Sequence, residues 1–163
     1  MDRSPEEELG DILTQNGWTI SVAETTAGGL ISAKIVSVPG SSAYFERGIV
    51  AYSKASKTEL LGVAEEALAE FGAVSEETAK ALAEGVRRVS GSTLGLAETG
   101  IAGPLVGRSP KPVGSVCIAA AGPSFTRSVS FALDGDRSEI RAMIAEKSLE
   151  LLLEWISDRP FSS

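Results

Sequence analysis

Histidine is absent from this chain. That excludes Ser-His-Asp and Cys-His machinery, in which an imidazole takes and returns the proton. It also disfavours a transition-metal site, because one cysteine and no histidine leave only carboxylates as ligands. With a single cysteine, Cys117, no disulfide can form within the chain. Cys117 lies in an apolar run and reads as a buried structural thiol. No apolar stretch approaches a membrane span. Basic residues are scattered, apart from Arg87-Arg88, and the net charge is −7. A nucleic-acid partner needs a basic stripe, so none is expected, and no membrane partner either. Met1-Asp2-Arg3-Ser4-Pro5 followed by three glutamates is neither a signal start nor a transit peptide, and a cytoplasmic location is expected.

What remains is the composition of an ordinary globular domain: 43% hydrophobic and 23% charged residues. A length of 163 residues suits one domain, expected over residues 1–163. Ser4-Pro5-Glu6-Glu7 starts a helix with a capping box, and Gly17 stops it. Residues 18–23 alternate as a strand. A helix is expected after Gly29 through Val38, and a second strand at 48–52. Helical pieces follow over 54–71, then a clear helix from Ser75 to Gly91. A third strand is expected over 93–98. The run from Val113 to Ala121 is continuously apolar, as in a central strand. Phe125, Val129, Phe131 and Leu133 alternate, which suggests a less buried antiparallel strand. A long amphipathic helix closes the pattern, with Ile140, Ile144, Leu152 and Trp155 on its apolar side. Strands and helices in this order predict a single-domain three-layer α/β/α sandwich with a mixed, mostly parallel sheet of about five strands.

Four loops beside these strands could carry chemistry, because ligands of open α/β sheets sit at strand ends. In Glu24-Thr25-Thr26-Ala27-Gly28-Gly29, two glycines at a helix start let backbone amides approach an anion, or simply make a tight turn. Pro39-Gly40-Ser41-Ser42 is ordinary turn chemistry on its own. Thr99-Gly100-Ile101-Ala102-Gly103-Pro104 frees amides for hydrogen bonding, and Glu98 before it either orients a ligand or caps the loop. In Asp134-Gly135-Asp136-Arg137 a cation opens a helix against its dipole, so Arg137 faces an anion or pairs with a neighbouring aspartate. Without histidine, a serine nucleophile needs another base, and a desolvated lysine is the natural one.

Together these segments resemble the CinA C-terminal domain family, the PncC-type nicotinamide mononucleotide deamidases. The likeness runs through Gly40 to Gly48, Tyr52-Ser53, Lys57, Gly72 to Glu76, Thr99 to Pro104, Lys111 to Gly114 and Gly135-Asp136-Arg137. The resemblance implies hydrolysis of nicotinamide mononucleotide to nicotinate mononucleotide and ammonia. It implies Ser42 as nucleophile, Lys57 as general base and Tyr52 in the same site. Thr25, Gly28, Gly29, Thr99, Gly100 and Arg137 would bind substrate. It implies no metal or organic cofactor, a standalone form of the domain, and a pyridine nucleotide as small-molecule partner. A homo-oligomer, dimer or higher, is the expected assembly. The first loop departs from the family's usual Glu-Ser-Cys-Thr-Gly-Gly: Thr25 adds a methyl group that restricts the hydroxyl's rotamer, and Ala27 lacks a hydroxyl. A catalytically altered or inactive nucleotide-binding or regulatory domain is the alternative reading.

Overall fold

The structure is a computed structural model, and it describes residues 2–157. The elements in chain order are α1 (Pro5–Asn16), β1 (Ile20–Glu24), α2 (Leu30–Val36), a 3-10 turn (Ser41–Ala43), β2 (Phe45–Val50), α3 (Lys54–Leu61), α4 (Glu65–Phe71), α5 (Glu76–Ser90), β3 (Leu94–Gly100), β4 (Ser115–Gly122), β5 (Phe125–Ala132) and α6 (Arg137–Ser157). The strands form one sheet in the order β2-β1-β3-β4-β5. β1 runs parallel to both β2 and β3, while β4 is antiparallel to β3 and to β5. Four of the five strands therefore share one direction and only β4 is reversed. Helices cover both faces, as the sequence predicts.

Local chemistry sets the helix limits. The Ser4 hydroxyl accepts from the Glu7 amide while the Glu7 carboxylate accepts from the Ser4 amide, a reciprocal cap at α1. Ser53 and Ser75 cap α3 and α5 one way only, each hydroxyl accepting from the amide three residues on. At α6 the reciprocal cap is made by Asp136 and Glu139. The expected helical stretch over 54–71 is two helices, because Gly62 takes a left-handed φ of 69° and ends α3.

Two cores flank the sheet. One gathers Ile20, Val22, Leu94, Leu96, Val116 and Ile118 with apolar residues of α1, α2 and α6. The other holds the small residues Ala23, Ala97, Cys117, Ala119 and Ala121 against Ala79, Leu82, Ala83 and Val86 of α5. Small side chains on that face let α5 lie close to the strands. Alternate burial on two covered faces explains why β4 reads as one apolar run. β4 lies fourth in the sheet, paired on both edges, and β3 holds the middle.

β2 begins earlier than expected. Phe45 pairs with Ile20, and the exposed Glu46 and Arg47 belong to the strand because β2 is an edge with little to bury. The path from β1 to β2 carries α2 on the first core's face. The path from β2 to β3 carries α5 on the other face and returns beside β1. The chain thus leaves β1 toward β2 and leaves β3 toward β4, in opposite directions across the sheet, so the carboxyl ends of β1 and β3 form a topological switch point.

Candidate active site

A cleft of about 700 Å³ opens at that switch point. Its size is that of ordinary small-molecule sites. Its walls come from the turn after β1, from Tyr52 and the start of α3, from residues 69–74, and from residues 99–111 after β3, with Arg137 at the start of α6. Five cations line it, Lys54, Lys57, Arg108, Lys111 and Arg137, against the single carboxylate of Glu70. In a chain of net charge −7 this concentration of positive charge suits the cleft to an anion.

Lys57 is the most unusual lining residue. It is 1% exposed. Its ammonium makes one hydrogen bond, donating to the Tyr52 carbonyl at 2.9 Å. Burial holds its pKa below the usual lysine value, as does nearby Lys54, while the field of Glu98 opposes them. A lysine so placed is suited to act as a neutral base.

The turn at residues 24–29 is held from three sides. The Glu98 carboxylate accepts from the Thr25 and Ala27 amides at 2.6 and 2.9 Å. The Thr26 hydroxyl donates to the Gly100 carbonyl at 2.7 Å and accepts from the Gly100 amide at 2.9 Å. Arg141 of α6 donates to the Thr26 and Ala27 carbonyls at 3.0 and 3.1 Å. The Thr99 hydroxyl is tied to the Ala73 carbonyl at 2.8 Å. The Thr25 hydroxyl is the loosest of the three threonines, reaching the Ala51 carbonyl only at 3.4 Å.

Several expected site residues therefore stand together. Thr25, Tyr52, Lys57, Thr99, Gly100 and Arg137 all line the cleft. Arg137 forms no ion pair with a neighbouring aspartate among the described residues, and donates instead to the Gly103 carbonyl at 2.8 Å.

Ser42 does not join them within one chain. It lies in the exposed 3-10 turn before β2, whose first residue pairs with the first residue of β1. Lys57 follows the other end of β2. The six-residue strand between them spans roughly 20 Å at about 3.3 Å per residue. A nucleophile and its base must come within hydrogen-bond reach of each other, and within one chain this topology keeps Ser42 and Lys57 apart.

Gly28 and Gly29 also stand apart from the other expected residues. The Gly29 amide is already taken by the protein's own Glu24, which accepts from the Gly29, Ile31 and Ser32 amides at 3.1, 2.9 and 3.0 Å. Its Oε2 also accepts from the Ser32 hydroxyl at 2.7 Å. Neither glycine lines the cleft.

The roles of Glu24 and Arg141 were not legible, since both act at long sequence separation or through backbone atoms. The one available signal was the pair of acidic residues at the ends of otherwise apolar strands. Among the described residues, no group of three or more acidic or cysteine side chains is placed to hold a metal ion.

A family model described as the CinA C-terminal domain matches residues 2–156. The chain belongs to that family. A putative competence-damage inducible protein of Desulforudis audaxviator is 46% identical over 156 residues, which cover 96% of this chain and 38% of that protein. A CinA-like protein of Geotalea uraniireducens is 44% identical over 94% of this chain and 36% of that protein. The chain thus spans just over a third of the length of these curated relatives. Among solved structures, the competence damage-inducible protein A of Klebsiella pneumoniae superposes with a TM-score of 0.90 at 27% identity, covering 95% of this chain and 98% of that one. The competence/damage inducible protein CihA of Agrobacterium tumefaciens gives 0.84 at 36% identity, covering 94% and 97%. No helix among the described residues is long and apolar enough to cross a membrane.

Proposed function

We propose that this CinA C-terminal domain is an amidohydrolase that converts nicotinamide mononucleotide to nicotinate mononucleotide and ammonia in the cleft between β1 and β3. The observation that carries the proposal is Lys57: a buried, largely unpaired lysine at the floor of a cationic cleft. Such a group is costly to bury and is commonly kept for proton transfer.

Thr25 is the nucleophile in this scheme, in place of Ser42. Neutral Lys57 takes the Thr25 hydroxyl proton as the oxygen attacks the carboxamide carbon. The tetrahedral intermediate collapses, and the amide nitrogen leaves as ammonia after taking that proton. Water, deprotonated by Lys57, then cleaves the ester, restores the Thr25 hydroxyl and releases the acid. Arg137, Lys111 and Arg108 hold the phosphate, with Thr99 and Gly100 against the ribose. Tyr52 covers the ring from the mouth of the cleft.

A second reading is a nucleotide-binding domain without turnover. It is favoured by the Lys57 hydrogen bond, which goes to the Tyr52 carbonyl and not to a hydroxyl. One experiment separates them. Nicotinamide mononucleotide raises the melting temperature by mass action in both cases. Only the enzyme releases ammonia in step with nicotinate mononucleotide. A thermal shift without ammonia, at ample enzyme and time, selects the binding reading. Neither response removes the assigned substrate.

A further inference from the structure

Glu98 sits near the end of the middle strand and is fully buried. One carboxylate oxygen accepts from the Thr25 and Ala27 amides. The other, Oε2, is buried with no hydrogen-bond partner. Leaving an acceptor unsatisfied inside a protein costs on the order of 1–3 kcal/mol, and more when it is charged. Holding the turn does not require a charge, because a neutral amide oxygen would accept from the same two amides. The ionisable carboxyl is surplus to the structural task.

The charged groups around it show what the surplus acts on. Lys57 approaches from α3 and Glu24 from β1, while the turn contributes only the two amides. Lys57 itself feels Lys54 on its own helix and Glu98 across the cleft floor. No ion pair joins Glu98 and Lys57, so they interact through the field between two buried groups, where such effects are stronger than in water.

We propose that Glu98 is the positioning residue of this site: one oxygen fixes Thr25, and the charge of the carboxyl governs whether Lys57 keeps its proton. The proposal rests on the reading of Lys57 as the base. As a carboxylate, Glu98 holds the Lys57 ammonium charged. Once protonated, it releases that hold and leaves burial to favour the neutral amine. Burial pushes Glu98 up to about 7, with Glu24 adding to the rise, while the two amides and Lys57 pull it down. The two groups therefore titrate as a linked pair.

The test is an NMR titration of Lys57 in lysine-labelled protein, its signal assigned by its loss in Lys57→Met. Glu98→Gln keeps an acceptor for Thr25 and Ala27, so it remains folded and melts above Glu98→Ala at pH 6. Its Lys57 midpoint falls by about one unit or more, a tenfold rise in neutral lysine at fixed pH. Glu98→Ala orphans both amides and melts lower, and Gln rescues that loss without restoring the Lys57 midpoint. A Lys57 midpoint that is the same in Glu98→Gln and the parent overturns the proposal. This readout needs no substrate. A shifted midpoint without ammonia release would sustain the role of Glu98 while the amidohydrolase reading failed. Ammonia release with an unmoved midpoint would do the reverse.

Discussion

Replacing Lys57 by methionine should separate stability from activity. Methionine fills nearly the same length, so no large cavity opens. The ammonium removed is 1% exposed and makes a single hydrogen bond. Exchanging a buried charge for an apolar group of similar volume is often neutral or stabilising, by up to about 1–4 kcal/mol. Against this stands the Tyr52 carbonyl left without its donor, a loss of about 1–2 kcal/mol. Glu98 keeps its two amide donors and, with the cation gone, takes a proton more readily, so no lone buried charge results. The net expectation is a gain of about 1–2 kcal/mol near neutrality, or roughly 2–6 °C in melting temperature for a domain of this size. Because folding lowers the lysine's pKa, the parent pays for burying it wherever the unfolded lysine is protonated. The advantage of methionine therefore vanishes above the ordinary lysine value and grows as pH falls through the range between the two states. It is complete below the native value. Ammonia release should fall by about 10²–10⁴-fold, the usual contribution of a general base. Calorimetry and urea melts over a pH series, run beside the ammonia assay, read both effects. A variant that loses more than about 2 kcal/mol, or that keeps parental turnover, refutes the reasoning.

Thr25→Ser should retain most activity, since it keeps the hydroxyl and drops the methyl, whereas Thr25→Val should lose it with the fold intact; product formation and circular dichroism check both. Arg137→Ala should raise KM for nicotinamide mononucleotide about 10–100-fold with little change in kcat, as for loss of a charge-assisted phosphate contact of about 1.5–3 kcal/mol. Gly85→Ala should destabilise the fold by about 1–3 kcal/mol and lower kcat, because its methyl would press on the Leu61 carbonyl and push away the helix that carries Lys57; urea melts and steady-state kinetics measure this. Glu98→Gln should flatten the stability profile between about pH 4.5 and 7. In the parent, folding raises the Glu98 pKa, so stability is greatest at low pH and falls as pH rises through that window.

The fold was legible because patterning and punctuation agreed. Ser4, Ser75, Gly17 and Gly91 mark helix ends by local hydrogen bonds, and local rules read local bonds well. β2 was read late because an edge strand with Glu46 and Arg47 exposed shows no alternation for the eye to find. In the site, Lys57, Thr25, Thr99 and Arg137 were named, but their grouping depends on where β1 and β3 end together. Ser42 and Lys57 are near in sequence and share a motif, yet a parallel strand between them carries them to opposite ends of the sheet. The first turn misled for a different reason. Its glycines do mark a helix start that binds an anion, but the anion is Glu24, five residues before Gly29 in the same chain. Glu98 was noticed as odd, and only the structure shows that it holds Thr25 from another strand.

The most direct test of the account is a single ammonia-release assay on nicotinamide mononucleotide with the parent protein, Thr25→Val, Lys57→Met and Ser42→Ala. The account predicts turnover by the parent and by Ser42→Ala within a few-fold of each other, and loss of at least about 10²-fold in the other two. Full activity in Thr25→Val with loss in Ser42→Ala would contradict it, moving the chemistry away from the cleft between β1 and β3.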